Sequence, residues 1–205
     1  MELIMRIMLL KWGGAKYQNT PVLFSKFNNA LIGPEDEIYK SDATEKLDYE
    51  VELAVVIGAK ASKVKKEDAL DYIAGYTIGN DISARDLQKR TPQWLQGKSL
   101  DHTTPIGPWI VTTSEINDPG NLSIKSYVNG EPRQSSNTKQ LIFDVQYLIE
   151  FISNLMTLDP GDIILTGTPG GVGMAMNPPK FLEADDLVTL EIDKIGKLEN
   201  KVIAK

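Results

Sequence analysis

LDYEVELAVVIG, residues 47–58, alternates residue by residue and then runs apolar, the pattern of a strand that starts at the edge of a core and ends inside it. Period-two alternation sends Val51, Leu53, Val55 and Ile57 to one face and Glu50, Glu52, Ala54 and Val56 to the other. The first face is wholly apolar. The second opens with two carboxylates about 7 Å apart at the strand's rise of roughly 3.3 Å per residue. Like charges at a core edge are unfavourable unless something neutralises them, and a hard divalent cation, with its preference for carboxylate oxygens, does so. For this strand alone, a solvated face or a pair of surface salt bridges is the competing explanation.

Outward from that strand the pattern stays β-rich. PVLFSKF (21–27), GYTIGND (75–81), PWIVTT (108–113), NLSIKSYVNG (121–130), DIILTGTP (162–169), DLVTLEID (186–193) and KLENKVIA (197–204) read as strands, and the Asn129-Gly130 pair predicts a hairpin into EPRQ. KKEDALDYI (65–73) predicts a short helix and SARDLQKR (83–90) a helical turn. Between Asp144 and Met156, the residues Val145, Leu148, Ile149, Ile152, Leu155 and Met156 share one helical face, with Asp144 as N-cap. RTPQWLQGKSLDHTTPIGP (90–108), with three prolines and two glycines, reads as a long connection of the kind that carries function. Met1 to Asn19 shows no clear period. Sequential strands and hairpins predict a β-rich α+β fold with an antiparallel or mixed sheet, and residues 1–205 are expected to form one domain.

Composition narrows the function. With 28 acidic and 22 basic residues and a net charge of −6, the chain has no basic footprint for nucleic acid, and an anionic substrate requires positive charge supplied locally by a metal, Lys or Arg. The absence of cysteine excludes disulfides, thiolate metal sites and thiol nucleophiles. His102 is the single histidine, which removes multi-histidine zinc sites. The apolar stretch Met1 to Leu10 contains Glu2 and Arg6 and is too short to span a bilayer. No A-x-A-like cleavage site follows, so a cytoplasmic protein with no membrane partner is expected. TGTPGGVG (166–173) lacks the GK[ST] ending of a P-loop and does not fit G-x-G-x-x-G, so it is not read as a nucleotide cradle.

Asp81 closes the strand GYTIGND and is a third candidate ligand, although Asn-Asp pairs also occur as turns and caps. The segments LDYEVELAVVIG, GYTIGNDISARDLQ, GKSLDHTTPIGP, VNGEPRQ and LDPGDIILTGTPGGVG, in that order, resemble the fumarylacetoacetate hydrolase family from Pro21 to Val202. The resemblance implies a mixed β-roll catalytic fold, a homodimer, and a Mg²⁺ or Mn²⁺ ion held by Glu50, Glu52 and Asp81. It also implies a catalytic role for Lys98 beside the substrate oxygens, substrate contacts from Gln88 and Thr168, and a mainly structural Arg85. The implied substrate is a small 2-oxo or 1,3-dicarbonyl acid, and a lysine ammonium next to it can stabilise developing enolate charge. For any lysine taken alone, a snorkelling surface position is the bland alternative.

Many hydrolases and decarboxylases of that family carry NY-x-x-H-x-x-E ahead of the segment matching PVLFSKF, and its His and Glu activate water. Here residues 1–20 read MELIMRIMLLKWGGAKYQNT, without that motif. The expected chemistry is therefore isomerisation, tautomerisation or decarboxylation through an enolate of a chelated 2-oxo acid, as in 2-hydroxyhepta-2,4-diene-1,7-dioate isomerase. The alternative is an acylpyruvate or fumarylacetoacetate-type C–C hydrolase whose start has been shortened, or in which His102 substitutes for the dyad. A non-catalytic metal-binding or assembly domain is the alternative of another class.

Overall fold

The computed structural model describes residues 6–9 and 20–205. In its first half the strands are β1 (Arg6–Leu9), β2 (Val22–Ser25), β3 (Leu31–Ile32), β4 (Ile38–Lys40), β5 (Leu47–Asp48), β6 (Val51–Ile57), β7 (Ile73–Asn80), β8 (Ser83–Ala84) and β9 (Thr104–Thr112). The second half adds β10 (Ser123–Val128), β11 (Glu131–Asn137), β12 (Ile163–Leu165), β13 (Leu187–Ile192) and β14 (Gly196–Ala204). Helices are few: α1 (Arg85–Gln88), α2 (Leu95–Lys98) and α3 (Val145–Leu155), with short 3₁₀ turns between elements. The fold is the expected β-rich α+β arrangement, and both larger sheets are mixed. One has the order β12-β6-β7-β9-β3 and the other β11-β10-β13-β14-β4, with parallel pairs β3–β9 and β14–β4.

β6 lies between β12 and β7 and is buried along its whole length. Its alternation sorts as the sequence requires: Val51, Leu53, Val55 and Ile57 join the main core, while Ala54 and Val56 pack with Ile163 and Leu165 in a second cluster on the other face. The strand is interrupted at Tyr49 and Glu50, so the 47–58 stretch folds as β5 and β6 with the first carboxylate in the break. α3 follows its predicted face, with Val145, Leu148, Ile149 and Ile152 buried and the Asp144 side chain accepting from Tyr147 N at 2.8 Å. Burying each such aliphatic side chain stabilises the fold by about 1.5–3 kcal/mol. Leu155 and Met156 depart from the prediction, at 60% and 40% exposed. Met156 is the C-cap, with extended backbone, so helical spacing no longer governs it. The hairpin forms as expected, with Asn129 and Gly130 both at positive φ (53° and 77°).

The 90–108 stretch is not an unstructured connection: it contains α2 and the start of β9. Tertiary contact overrides its loop-like composition, because α2 packs directly on α1. A Cβ at Gly97 would lie 2.5 Å from Gln88 N, so only glycine allows that approach. Lys98 is thereby held at the end of a packed helical turn. The expectations for residues 1–5 and 10–19, including the reading of the first twenty residues against the His-Glu motif, lie outside the described residues.

Candidate metal centre

Strand pairing assembles the three carboxylates. In the β6–β7 pair Val51 faces Asn80 and Glu52 faces Gly79, which brings the end of β7 beside the start of β6. Asp81 N donates to Glu50 O (3.0 Å) and Glu50 N donates to the Asn80 side chain (3.1 Å), fixing Asp81 against Glu50 across the break in the strand. Beyond β12 the chain crosses the same end, where Thr166 N donates to Leu53 O (3.1 Å) and Gly167 N to Glu52 Oε2 (2.7 Å). One carboxylate oxygen from each of Glu50, Glu52 and Asp81 then lies within 4.8 Å of the others, and all three residues are buried. Side chains whose Cα spacing predicts about 7 Å have converged on one point.

Three cations surround this cluster. Lys98 Nζ donates to Glu50 Oε2 (2.8 Å) and Asp81 Oδ2 (2.5 Å), with the Phe24 ring 5.1 Å away. Lys26, just past β2, donates to Asp81 Oδ1 (2.8 Å), Ile82 O (3.1 Å) and Thr103 O (3.4 Å). Arg85 donates through Nη2 to Glu50 Oε1 (2.6 Å), through Nε to Asp48 Oδ2 (2.8 Å) and through Nη1 to Gln88 Oε1 (3.1 Å). Lys26, Asp48, Glu50, Glu52, Asp81, Arg85 and Lys98 are all buried. Among the described residues, four buried carboxylates against three buried cations leave one negative charge uncompensated if all are ionised.

That excess falls on Glu52. Burial, with Asp81 and Glu50 alongside, pushes its carboxyl well above the usual carboxylate range. Burial would also raise Asp81, but Lys26 and Lys98 outweigh it and hold Asp81 below its ordinary value. Burial lowers Lys26 despite Asp81, and it works against the Arg85 charge, which Glu50 and Asp48 nonetheless hold above its ordinary value. Glu52 Oε1 is a buried carboxylate oxygen with no hydrogen-bond partner. An orphaned carboxyl oxygen beside two more carboxylates fits a hard divalent cation, which would favour the ionised form of Glu52 and leave the loaded cluster at net +1.

Gln88 is buried at the end of α1 and held by Arg85. Thr168 is buried too, but its hydroxyl donates to Val51 O (2.9 Å) and accepts from Gln134 Nε2 (2.7 Å), so a substrate contact through that hydrogen requires the bond to Val51 to be given up. His102 does not join the carboxylates. It stacks face to face on Tyr39 (3.9 Å, 3°) and lines a separate cavity of about 680 Å³ with Asn29, Ser99 and Lys205. Arg85 turns inward to Asp48 and Glu50, while the neighbouring Asp86 accepts from the Thr44 hydroxyl and the Glu45 N–H. Lys26 was not singled out by the sequence. The available signal was its register with Val22 and Phe24, on one side of a short apolar strand.

Comparison with known proteins places the chain in a family. The family model described as Fumarylacetoacetate (FAA) hydrolase C-terminal matches residues 11–203. An oxaloacetate tautomerase from Xenopus laevis, designated mitochondrial, is 47% identical over 185 residues, covering 89% of this chain and 58% of the relative. The chain spans about three-fifths of the length of the curated relatives it matches (63%, 58% and 59% for the first three). The crystal structure of 2-hydroxyhepta-2,4-diene-1,7-dioate isomerase from Mycobacterium marinum superposes with a TM-score of 0.89 at 41% identity, covering 100% of this chain and 75% of that one. That of fumarylpyruvate hydrolase from Pseudomonas aeruginosa, in complex with Mn²⁺ and pyruvate, gives a TM-score of 0.90 at 28% identity over 98% and 90% of the two chains. No helix among the described residues is long and apolar enough to cross a membrane.

Proposed function

Because the chain belongs to the fumarylacetoacetate hydrolase family, we propose that it is a Mg²⁺- or Mn²⁺-dependent enzyme that acts on a small 2-oxo or 1,3-dicarbonyl acid through its enolate, as an isomerase, tautomerase or decarboxylase. The supporting observation is the buried cluster of Glu50, Glu52 and Asp81, with one oxygen of each within 4.8 Å of the others and Glu52 Oε1 left without a hydrogen-bond partner. Glu50, Glu52 and Asp81 would hold the ion. When bound, it would supply a Lewis acid that polarises a chelated carbonyl and acidifies the neighbouring C–H. The net +1 charge of the loaded cluster suits the carboxylate of a 2-oxo acid, which is how an acidic protein gathers an anion.

Lys98 is the proposed catalytic group. Its ammonium, held between Glu50 and Asp81, lies at the rim of the ligand set and would stabilise negative charge on the substrate's enolate oxygen. Lys26 holds Asp81 ionised from the opposite side and keeps its second oxygen in place. Arg85 orients Glu50 and Gln88 together, and Gln88 and Thr168 are the proposed substrate contacts. Phe24 and Trp94, edge to face at 5.6 Å, form an apolar wall beside Lys98 that limits water around its charge. A homodimer, as the family implies, completes the proposal and is read by sedimentation velocity.

C–C hydrolysis is the second reading, favoured by the likeness to the Mn²⁺- and pyruvate-bound fumarylpyruvate hydrolase. A panel of oxaloacetate, an acylpyruvate and a 2-hydroxy-dienedioate, assayed with Mg²⁺, separates the two. Enol–keto conversion is expected to outrun acylpyruvate cleavage. Dominant cleavage that survives His102→Ala would overturn the proposal in favour of a hydrolase, with water activated by some other group.

A further inference from the structure

Asp48 lies outside the ligand set, yet its carboxylate is one of the most completely bonded groups in the fold. Oδ1 accepts from Gly173 N (2.7 Å) and Tyr49 N (3.0 Å), and Oδ2 accepts from Arg85 Nε (2.8 Å) and Met174 N (3.0 Å). Asp48 is fully buried, and its pairing with Ser83 in the β5–β8 ladder sets Arg85 next to it.

On one side Asp48 fastens the glycine-rich segment that follows Thr168. Gly173 fits there only as glycine, since a Cβ would come 1.9 Å from Lys180 O and 2.8 Å from Asp48 Oδ1. Tyr49 Oη, next to Asp48, also donates to Gly171 O (3.0 Å), and further along the chain Leu182 N donates to Leu47 O (2.7 Å). On its other side Asp48 holds one edge of the Arg85 guanidinium, whose two remaining nitrogens bind Glu50 and Gln88. A guanidinium is a rigid planar fork, so fixing one N–H sets the directions of the others. The orientation of Glu50, the orientation of Gln88 and the placement of the 171–174 backbone therefore share a single plate.

We infer that Asp48 is a positioning residue that couples the 171–174 segment to the metal centre through Arg85, so that loading the carboxylate site orders this segment and the segment in turn holds Glu50 in ligating geometry. The inference rests on the reading of Glu50, Glu52 and Asp81 as ligands. Asp48→Asn keeps the size of the side chain but removes the negative charge that fixes Arg85 Nε, and with it the set of the fork toward Glu50 and Gln88.

The test uses the whole chain stripped of metal, with Mn²⁺ alone as the probe. Calorimetry gives the affinity, and amide exchange at Gly173 and Met174 gives the segment's response. In the wild type, Mn²⁺ is expected to slow exchange at both amides. In Asp48→Asn that slowing is expected to vanish and Mn²⁺ affinity to fall by about 10–100-fold, the usual effect of removing a partner that orients a ligand. A purely structural role would lower the unfolding temperature while leaving the affinity of the folded protein unchanged, and that result overturns the inference. If Asp48→Asn does not fold, Arg85→Lys reads the same coupling. A single ammonium cannot span Asp48, Glu50 and Gln88, so the same loss of affinity is expected and an unchanged affinity refutes the inference. A wild type that binds no Mn²⁺ fails at the earlier step, removing the ligand assignment and this inference with it.

Discussion

Replacing Glu52 by glutamine should have opposite effects in the presence and absence of metal. Without metal, Glu52 is a buried carboxyl with an unpartnered oxygen facing Glu50 and Asp81, and burial and those neighbours oppose its ionisation. Glutamine keeps an acceptor for the Gly167 N–H and replaces the orphan oxygen with an NH₂ that can donate to the adjacent carboxylates. Relieving one unsatisfied buried polar group is worth about 1–3 kcal/mol. For a domain of this size each kcal/mol shifts the unfolding midpoint by about 2–4 °C, so metal-free Glu52→Gln should melt about 2–12 °C above the wild type at pH 8. With Mn²⁺ at about one hundred times its dissociation constant the wild type gains about 2.7 kcal/mol, or roughly 5–11 °C. The variant, having lost one of three ligands and the charge that attracts the ion, should gain almost nothing at the same concentration. Thermal unfolding after chelation, with and without added Mn²⁺, reads both effects. A metal-free variant that melts below the wild type, or one that keeps the Mn²⁺ shift, would refute this account of Glu52.

Lys98→Met should lower turnover by about 10²–10³-fold, the usual cost of losing one preorganised electrostatic contact, while calorimetric Mn²⁺ affinity holds or improves. An unchanged rate would remove Lys98 from the chemistry. Lys26→Met breaks a buried pair by deleting one partner, a change worth about 3–5 kcal/mol. Its unfolding midpoint should fall by roughly 6–20 °C, and a change below that range would mean Asp81 does not depend on Lys26. Asp86 titrates below its ordinary value: burial opposes the shift, but the Thr44 hydroxyl and backbone N–H groups overcome it. The stability it contributes is therefore present above the unfolded value of about 3.9 and is lost as pH falls through the depressed folded value. Wild type and Asp86→Asn should differ in unfolding midpoint near pH 6 and converge toward about pH 2; a gap of constant size would contradict the assignment.

What was legible in the sequence is what local periodicity encodes. The two faces of β6, the amphipathic face of α3 with its Asp144 cap, and the Asn129-Gly130 hairpin all follow from side-chain spacing and turn chemistry, and each formed. The break at Tyr49 and Glu50 did not follow, because it depends on the Asn80 side chain and the Asp81 N–H, about thirty residues later in the chain. α2 was hidden by prolines and glycines whose local preference is overridden by packing on α1. Glu50, Glu52 and Asp81 were found through their resemblance and then met in space. Lys26 looked like a lysine at the end of a short strand, and its partner Asp81 is 55 positions away. Asp48 was equally silent, since its amide donors come from Gly173 and Met174, more than a hundred residues further on. For Thr168, nothing in its local sequence indicates that Val51 O and Gln134 occupy its hydroxyl.

If Glu50, Glu52 and Asp81 hold one hard cation beside a chelated 2-oxo acid, a crystal structure with Mn²⁺ and oxalate, a planar mimic of the pyruvate enolate, will show both. The account predicts a single anomalous peak about 2.0–2.4 Å from one oxygen each of Glu50, Glu52 and Asp81, with oxalate completing the shell and one of its oxygens in hydrogen-bond reach of Lys98. A Mn²⁺ ion bound elsewhere, or carboxylates that stay paired only to Lys26, Lys98 and Arg85 at saturating Mn²⁺, would contradict it.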